Sequence, residues 1–181
     1  MDDAERTLIG QCRAGDKAAF GQLVRAHAGR AIGLAYGLLG NRSDALDASQ
    51  DAFVRAWRAM GRFDGRSAFY TWYAAILRNV CVSQLRKRLR RGPDEPIESL
   101  PLPSGEPDPS LLAERSERID RIWRAVMSLP TAHREVIVMK HFQEMSYRQM
   151  AESLSVPVGT VTSRLHAARR ALRELLAGER V

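Results

Sequence analysis

The chain has 181 residues, 28 Lys and Arg against 21 Asp and Glu, and a formal net charge of +7. No stretch approaches the roughly twenty consecutive apolar residues of a membrane span, and two cysteines in a chain this long exclude a disulfide framework. The positive balance favours polyanionic partners, with DNA, RNA and an acidic membrane surface equally admissible at this level.

The start, Met1-Asp-Asp-Ala-Glu, lacks the basic flank and apolar core of a secretory signal, so cytoplasmic residence is expected. Leu8, Ile9 and Cys12, then Phe20, Leu23 and Val24, recur at helical spacing on either side of Gly15-Asp16, where Asp16 is placed to cap the second helix. That helix is expected to reach about Ala28, with a third carrying Ile32, Leu34, Ala35, Leu38 and Leu39 before Gly40-Asn41 stops it. A further helix opens at Asn41-Arg-Ser-Asp with Ser43 as its cap. Its inward stripe is Leu46, Ser49/Gln50, Phe53, Ala56/Trp57 and Met60. Asp44, Asp47, Asp51, Arg55 and Arg58 lie outward, Asp51 and Arg55 at pairing distance.

The loop Arg62 to Phe69 turns at Gly65, and Ser67 is placed to cap the next helix, from about Ala68 to Arg90. This helix begins aromatic (Phe69, Tyr70, Trp72, Tyr73) and ends cationic (Arg86, Lys87, Arg88, Arg90, Arg91). Rings beside cations suit single-stranded nucleic acid, whose bases stack while its phosphates follow charge; the same spacing of Phe69, Trp72 and Ile76 equally suits a core stripe. Residues 92–110 hold six prolines, five acids and no Lys or Arg, the composition of a linker. Basic segments flank it, with 16 cations against 8 acids in residues 1–91 and 12 against 8 in residues 111–181.

Helical patterning resumes at 111–128 with Leu112, Ile119, Ile122, Trp123 and Val126, and Leu129-Pro130 closes it. Ser146 precedes Gln149 by three, the spacing of a capping box, and Met150, Ala151 and Leu154 follow at helical intervals. Ser155-Val156-Pro157 then ends one helix and starts another. The second carries Val161, Leu165, Ala168, Leu172 and Leu175 as its apolar stripe, with Ser163, His166, Arg170 and Arg173 opposite. The reading is a helix-turn-helix with an exposed basic second helix, able to enter a major groove. Cys12 and Cys81 read as buried apolar side chains, and His27, His133, His141 and His166 fit no metal-ligand spacing, so no metal or cofactor is expected.

Three stretches carry a family resemblance. Arg134-Glu-Val-Ile-Val-Met-Lys, Met145-Ser-Tyr-Arg-Gln-Met-Ala and Val156-Pro-Val-Gly-Thr-Val-Thr-Ser-Arg-Leu-His-Ala-Ala-Arg together resemble region 4 of bacterial extracytoplasmic-function (ECF) sigma factors. Asp44-Ala-Leu-Asp-Ala-Ser-Gln-Asp-Ala-Phe-Val-Arg-Ala-Trp resembles their region 2.2, and Gly65-Arg-Ser-Ala-Phe-Tyr-Thr-Trp with Asn79 resembles regions 2.3 and 2.4. The resemblance implies an all-α chain of two small helical domains, region 2 over 1–91 and region 4 over 111–178, joined by the Pro-rich acidic linker 92–110.

It further implies a non-enzymatic factor that binds core RNA polymerase (β′ clamp and β flap), reads minus-35 and minus-10 promoter elements and captures melted bases. Polymerase contacts fall on Asp44, Asp47, Gln50, Asp51 and Arg55. Minus-10 contacts fall on Asp64, Arg66, Ser67, Ala68, Phe69, Arg78, Asn79 and Arg86. Minus-35 contacts fall on Arg134, Thr160, Thr162, Ser163, Arg164, His166 and Arg170, with Lys140 a further backbone anchor. An anti-sigma partner, no membrane insertion and association with the nucleoid through polymerase follow by analogy. The linker's acids would lie near the RNA path, and no sensory domain is expected after Leu176. Three positions depart from the family pattern: Ala75, Thr162 and Ala167 stand where basic residues are common. Glu144 stands where Gly is usual, at a cost of about 1 kcal/mol if its φ is positive. Two rivals remain open: a stand-alone helix-turn-helix regulator, and a helical interaction protein whose basic faces bind RNA or an acidic partner.

Overall fold

A computed structural model describes residues 3–91 and 109–178; the side chains of Arg91, residues 109–116 and Gly178 lie outside that description. Every regular element among the described residues is helical. The expected linker falls on 92–108, outside the described residues, while Pro109 and Ser110 already belong to the next helix.

Helix α1 (Asp3–Arg13) buries Ile9 and Cys12. Gly15 turns the chain at φ 94, and the Asp16 carboxylate then accepts from the N–H groups of Ala18 and Ala19 at 2.8 and 3.1 Å. These are the free donors of a helix's first turn, so Asp16 starts α2 as expected. Helix α2 runs unbroken from Lys17 to Leu39, which corrects the break expected near Ala28. Glycines 29, 33 and 37 each weaken a helix by about 1 kcal/mol. Ala31 and every residue from Leu34 to Leu39 are buried, however, and tertiary burial of this kind dominates helix stability.

Gly40, at φ 73, closes α2 and donates to the Tyr36 carbonyl at 2.8 Å. Asn41, not Ser43, caps α3 (Arg42–Ala59), its side chain accepting from Asp44 N–H at 3.0 Å. The inward face of α3 is also finer than expected. Ala45, Ala48, Ser49, Ala52, Phe53 and Ala56 are buried, whereas Gln50 is exposed. Small alanines let α2 and α4 approach α3 closely, and Phe53 stacks on Tyr73 at 4.3 Å.

Helix α4 (Phe69–Arg91) packs on α2, α3 and α7. It is covered on several sides, so Phe69, Tyr70, Thr71, Tyr73, Ala74, Leu77, Val80 and Cys81 are all buried. Burial raises the Tyr70 and Tyr73 hydroxyls well above their ordinary range and pushes the Cys81 thiol up to about 12. Both cysteines are free and buried, the inert environment expected for them.

Helices α5 (Pro109–Ser128), α6 (Thr131–Ile137), α7 (Tyr147–Leu154) and α8 (Val158–Gly178) form the second half. Helix α6 continues into one π turn, Val138–Phe142, closed by Gln143 N–H to the Val138 carbonyl at 3.1 Å. The extra residue in this turn shifts the register. Phe142 is left 43 % exposed while Gln143 points inward.

The two halves share one apolar core. Gly37 of α2 lies so close to Val138 that a Cβ on it would sit 2.6 Å from a Val138 methyl. Polar contacts run beside this approach. Arg30 Nη2 donates to the Gln143 carbonyl at 2.9 Å, Arg134 Nη1 to Leu38 O at 2.8 Å, and Ser153 Oγ to Thr71 O at 2.9 Å. The Gln143 amide satisfies both its ends when its NH2 faces the Tyr70 hydroxyl at 2.7 Å and its oxygen accepts from Leu34 N–H.

Candidate nucleic-acid interface

The helix-turn-helix forms as the sequence specifies. Ser146 Oγ accepts from Gln149 N–H at 3.3 Å and the Gln149 side chain accepts from Ser146 N–H at 2.8 Å, a complete capping box at the start of α7. Glu144 takes φ 53 just before it, the strained turn anticipated for a non-glycine residue. Ser155 ends α7 in the same left-handed region, and Val156 N–H bonds back to Ala151 O at 3.1 Å.

Helix α8 then presents two faces. Val161, Leu165 and Ala168 are buried; Leu172 is partly covered and Leu175 is 38 % exposed, so the apolar stripe loosens toward its end. Thr162, Ser163, His166 and Arg170 are exposed on the far side, with Thr160 and Arg164 half-buried at its edge. The Thr162 and Ser163 hydroxyls donate to the Val158 and Thr160 carbonyls at 3.1 Å each. Their lone pairs remain free, so they present acceptors outward. Arg169, absent from the sequence reading, joins this edge and lies 3.3 Å from His141 Nε2. Burial, Arg169 and Lys140 together hold the His141 imidazole below its ordinary pKa. Nothing in helical periodicity singles out Arg169, because its partner is 28 positions away.

Arg134 is not on this face. Its guanidinium is turned inward and donates to the carbonyls of Leu38, Met127 and Leu129, which corrects its expected place as a phosphate anchor. Burial depresses its pKa, and three carbonyl acceptors compensate the lost hydration. Lys140 also turns to its own module, near Met145 O at 3.5 Å and over the Tyr147 ring at 5.4 Å.

In the first half, Asp64 organises the loop before α4. One carboxylate oxygen accepts from Arg66 N–H at 3.1 Å and the other lies 3.2 Å from Arg66 Nε. Gly65 at φ 75 makes the bend, and Ser67 and Ala68 are half-buried behind it. Phe69 has no exposed surface; it packs against Phe63, Trp72, Tyr73 and His27. Its expected role as a pocket wall is therefore corrected to support beneath the loop. Asn79 and Arg86 are exposed on α4. Arg78 is not free: its Nε and Nη2 donate to Glu135 at 2.7 and 3.2 Å, corrected from a strand contact to a contact between the halves in this conformation.

On α3, Asp47, Gln50, Val54, Arg55 and Arg58 are exposed along one face. Arg55 grips Asp51 with two hydrogen bonds at 3.0 and 2.8 Å. Val54, 48 % exposed, is an apolar residue in a charged surface that the polar pattern hid. Asp44 stands apart, paired with Arg88 of α4 at 2.9 Å, and joins the two helices rather than the open face. Among the described residues no cluster of potential ligands could hold a metal, and no helix is long and apolar enough to cross a membrane.

Known proteins share this architecture. Residues 23–91 match the family model for sigma-70 region 2 and residues 119–172 that for sigma-70 region 4. The chain is 32 % identical to the RNA polymerase sigma-H factor of Pseudomonas aeruginosa, covering 96 % of this chain and 94 % of that protein. It is 34 % identical to the ECF RNA polymerase sigma factor SigW of Bacillus subtilis, covering 97 % and 98 %. Among solved structures, CnrH in complex with the cytosolic domain of CnrY aligns over 97 % of this chain and 99 % of its own, with TM-score 0.71 and 31 % identity. The sigma factor RpoE of Bartonella quintana, in complex with the anti-sigma factor NepR, aligns over 89 % and 98 %, with TM-score 0.72 and 28 % identity. The chain belongs to the sigma-70 family, in its extracytoplasmic-function branch. Two buried modules with a capped helix-turn-helix in the second thus serve promoter-specific transcription as an alternative sigma factor.

Proposed function

We propose that α8 reads the minus-35 major groove through Ser163, Arg164, His166 and Arg170, with Thr160 and Thr162 beside them. The observation that carries this is the polar face of α8, open to solvent behind a complete capping box. Arg or Lys reaching a guanine edge discriminates by about 1–3 kcal/mol. Arg169 and Arg173 extend the same face toward phosphates.

The loop Asp64 to Ala68, with Asn79 and Arg86, would hold extruded minus-10 bases and the melted strand. Its Asp64–Arg66 turn is ordered before any strand arrives, which spares ordering cost on binding. Asp47, Gln50, Asp51 and Arg55, around Val54, would dock the β′ clamp of core polymerase, and region 4 the β flap. An anti-sigma factor is the expected antagonist, in keeping with the partners of CnrH and RpoE named above. Catalysis then belongs to the polymerase, and the factor works in the cytoplasm, on the nucleoid when polymerase-bound. The five acids of 92–110, all outside the described residues, would lie along the RNA path. Replacing them with Ser or Asn should alter abortive and run-off yields.

Run-off transcription with bacterial core polymerase and host DNA fragments tests the reading. Discrete new start sites, lost with Asp47→Ala/Asp51→Ala or with a replaced Gly65–Ala68 loop, support it. Absence of core-dependent transcripts, with tight binding of the chain alone to palindromic duplex sites, moves the assignment to a stand-alone regulator.

A further inference from the structure

The seam between the two halves leaves a cavity that none of the surfaces described above uses. It measures about 330 Å3, at the lower end of the range for small-ligand sites. Its floor is one face of α2, where Gly29, Ile32, Gly33 and Tyr36 recur three and four apart, and its far wall is Trp123 of α5 with Phe142 of the π turn. Trp123 and Phe142 stack at 4.7 Å with 29° between their planes, and Tyr36 meets Trp123 edge-on at 5.5 Å. Two glycines keep the floor bare. A Cβ on Gly29 would meet nothing within 4 Å, so the space there is open, whereas one on Gly33 would come 3.3 Å from the Gln143 amide. The cavity is a slot with flat, apolar sides.

One cation stands at its mouth. Arg42 is exposed, is the only charged residue of the described lining, and its side chain pairs with no acid among the described residues. It opens α3 at the positive end of the helix dipole, where a cation is disfavoured and an anion favoured. Asp44, the acid of the same turn, is already taken by Arg88 at 2.9 Å. A slot of rings thus ends at a place that calls for negative charge.

We propose that this cavity binds a planar aromatic carboxylate, a free small molecule of one or two fused rings. Its rings lie against Trp123 and Phe142 over the bare face of α2, and its carboxylate sits on the Arg42 guanidinium. Ring contacts favour a flat aromatic over an alkyl chain of similar size, and a guanidinium takes a carboxylate through two parallel hydrogen bonds. None of the proposed DNA or polymerase contacts lines the slot, so the inference goes beyond the sigma reading and does not rest on it.

Calorimetric titration of the full-length chain tests the site, with naphthoate as the probe, naphthalenemethanol as its neutral counterpart and decanoate as an aliphatic acid of similar size. Naphthoate should bind one to one with a Kd on the order of 0.1 mM, the range open to a ligand of about a dozen heavy atoms. The other two should bind about fivefold more weakly. Gly29→Leu grows a side chain into the open space and suits a helix better than glycine does; it should abolish naphthoate binding. Arg42→Gln should weaken naphthoate about fivefold and leave naphthalenemethanol unchanged.

Equal naphthoate affinity in wild type and Gly29→Leu overturns the site, as does the absence of saturable binding at millimolar probe. Naphthalenemethanol that binds wild type as tightly as naphthoate overturns the anion and assigns the slot to an aromatic side chain of a partner protein. Decanoate that matches naphthoate overturns the planar ligand. Where Gly29→Leu loses helicity by circular dichroism, Phe142→Ala, which removes a ring already 43 % exposed, decides by losing naphthoate affinity or keeping it. Run-off transcription by the same proteins is scored separately, so failure of the ligand site and failure of the sigma reading are told apart.

Discussion

Helices α4 and α8 are both long and basic, and they meet their surroundings in opposite ways. On α8 one stripe is buried by α5, α6 and α7, and the candidate reading residues stand in solvent. On α4 neighbours close in from three sides, so its first three turns are buried nearly all round and Arg78 is spent on Glu135. A helix with a single apolar stripe announces its free face, whereas one covered all round does not. Residue chemistry near a basic helix therefore indicates function reliably only where the packing geometry leaves one side open.

Removing Arg78 should separate the two helices most sharply. Arg78→Ala leaves the Glu135 carboxylate buried with no counter-charge, which should cost about 3 kcal/mol or more of stability in urea denaturation. Arg170→Ala on α8 removes an exposed cation that makes no contact with a carboxylate described here. Its stability should stay within about 0.5 kcal/mol of wild type, while minus-35 duplex binding by the isolated chain weakens by about 1–3 kcal/mol. Equal stability losses in the two variants would erase the distinction between the helices.

The caps sharpen the comparison at smaller scale. Ser146→Ala removes half of the capping box in front of the helix-turn-helix and should cost about 1 kcal/mol in the same denaturation. Glu144→Gly, one turn earlier, should stabilise by about 1 kcal/mol, because glycine adopts φ 53 without the Cβ penalty. A loss of stability with Glu144→Gly would mean that the Glu144 side chain supplies more than its backbone costs.

These local features were the legible part. Asp16, Ser146 with Gln149, Gly40 and the strained Glu144 are each decided within four residues of sequence, and each forms as read. Asn41 displaced Ser43 as a cap because both sit within reach of the same first turn, and only the actual start of α3 chooses between them. The unbroken α2 was hidden by its glycines, whose local cost is outweighed by the burial of Ala31 and of every residue from Leu34 to Leu39. Arg78 and Arg134 were read as DNA contacts because an arginine near a basic helix looks the same whether it faces phosphate or a partner module. Their acceptors, Glu135 and Leu38, lie 57 and 96 positions away. The π turn at Val138–Phe142 left no sequence signal, although it is what turns Gln143 into the seam and Phe142 out of it.

The smallest effect concerns pH and the region-2 side of the seam. His27 of α2 is half-buried between Phe69, Tyr70 and Glu5, with Nε2 3.1 Å from the Glu5 carboxylate and Nδ1 without a partner. Burial lowers its pKa, and the hydrogen bond and charge of Glu5 only partly oppose this. The folded chain thus binds this proton less readily than the unfolded chain, whose histidine keeps a value near 6.5. Between the depressed folded value and about 6.5 the unfolded state carries more protons, so stability must rise with pH there. The contribution is fully present above that window and is lost as pH falls through it. His27→Gln should flatten the pH dependence of the thermal midpoint below about pH 6.5. A wild-type midpoint that instead rises on acidification would show that the Glu5 contact, not burial, governs this histidine. His141 of region 4 is likewise held below its ordinary value, so the difference between wild type and His27→Gln, not the wild-type slope itself, reports on the α1–α2–α4 side of the molecule.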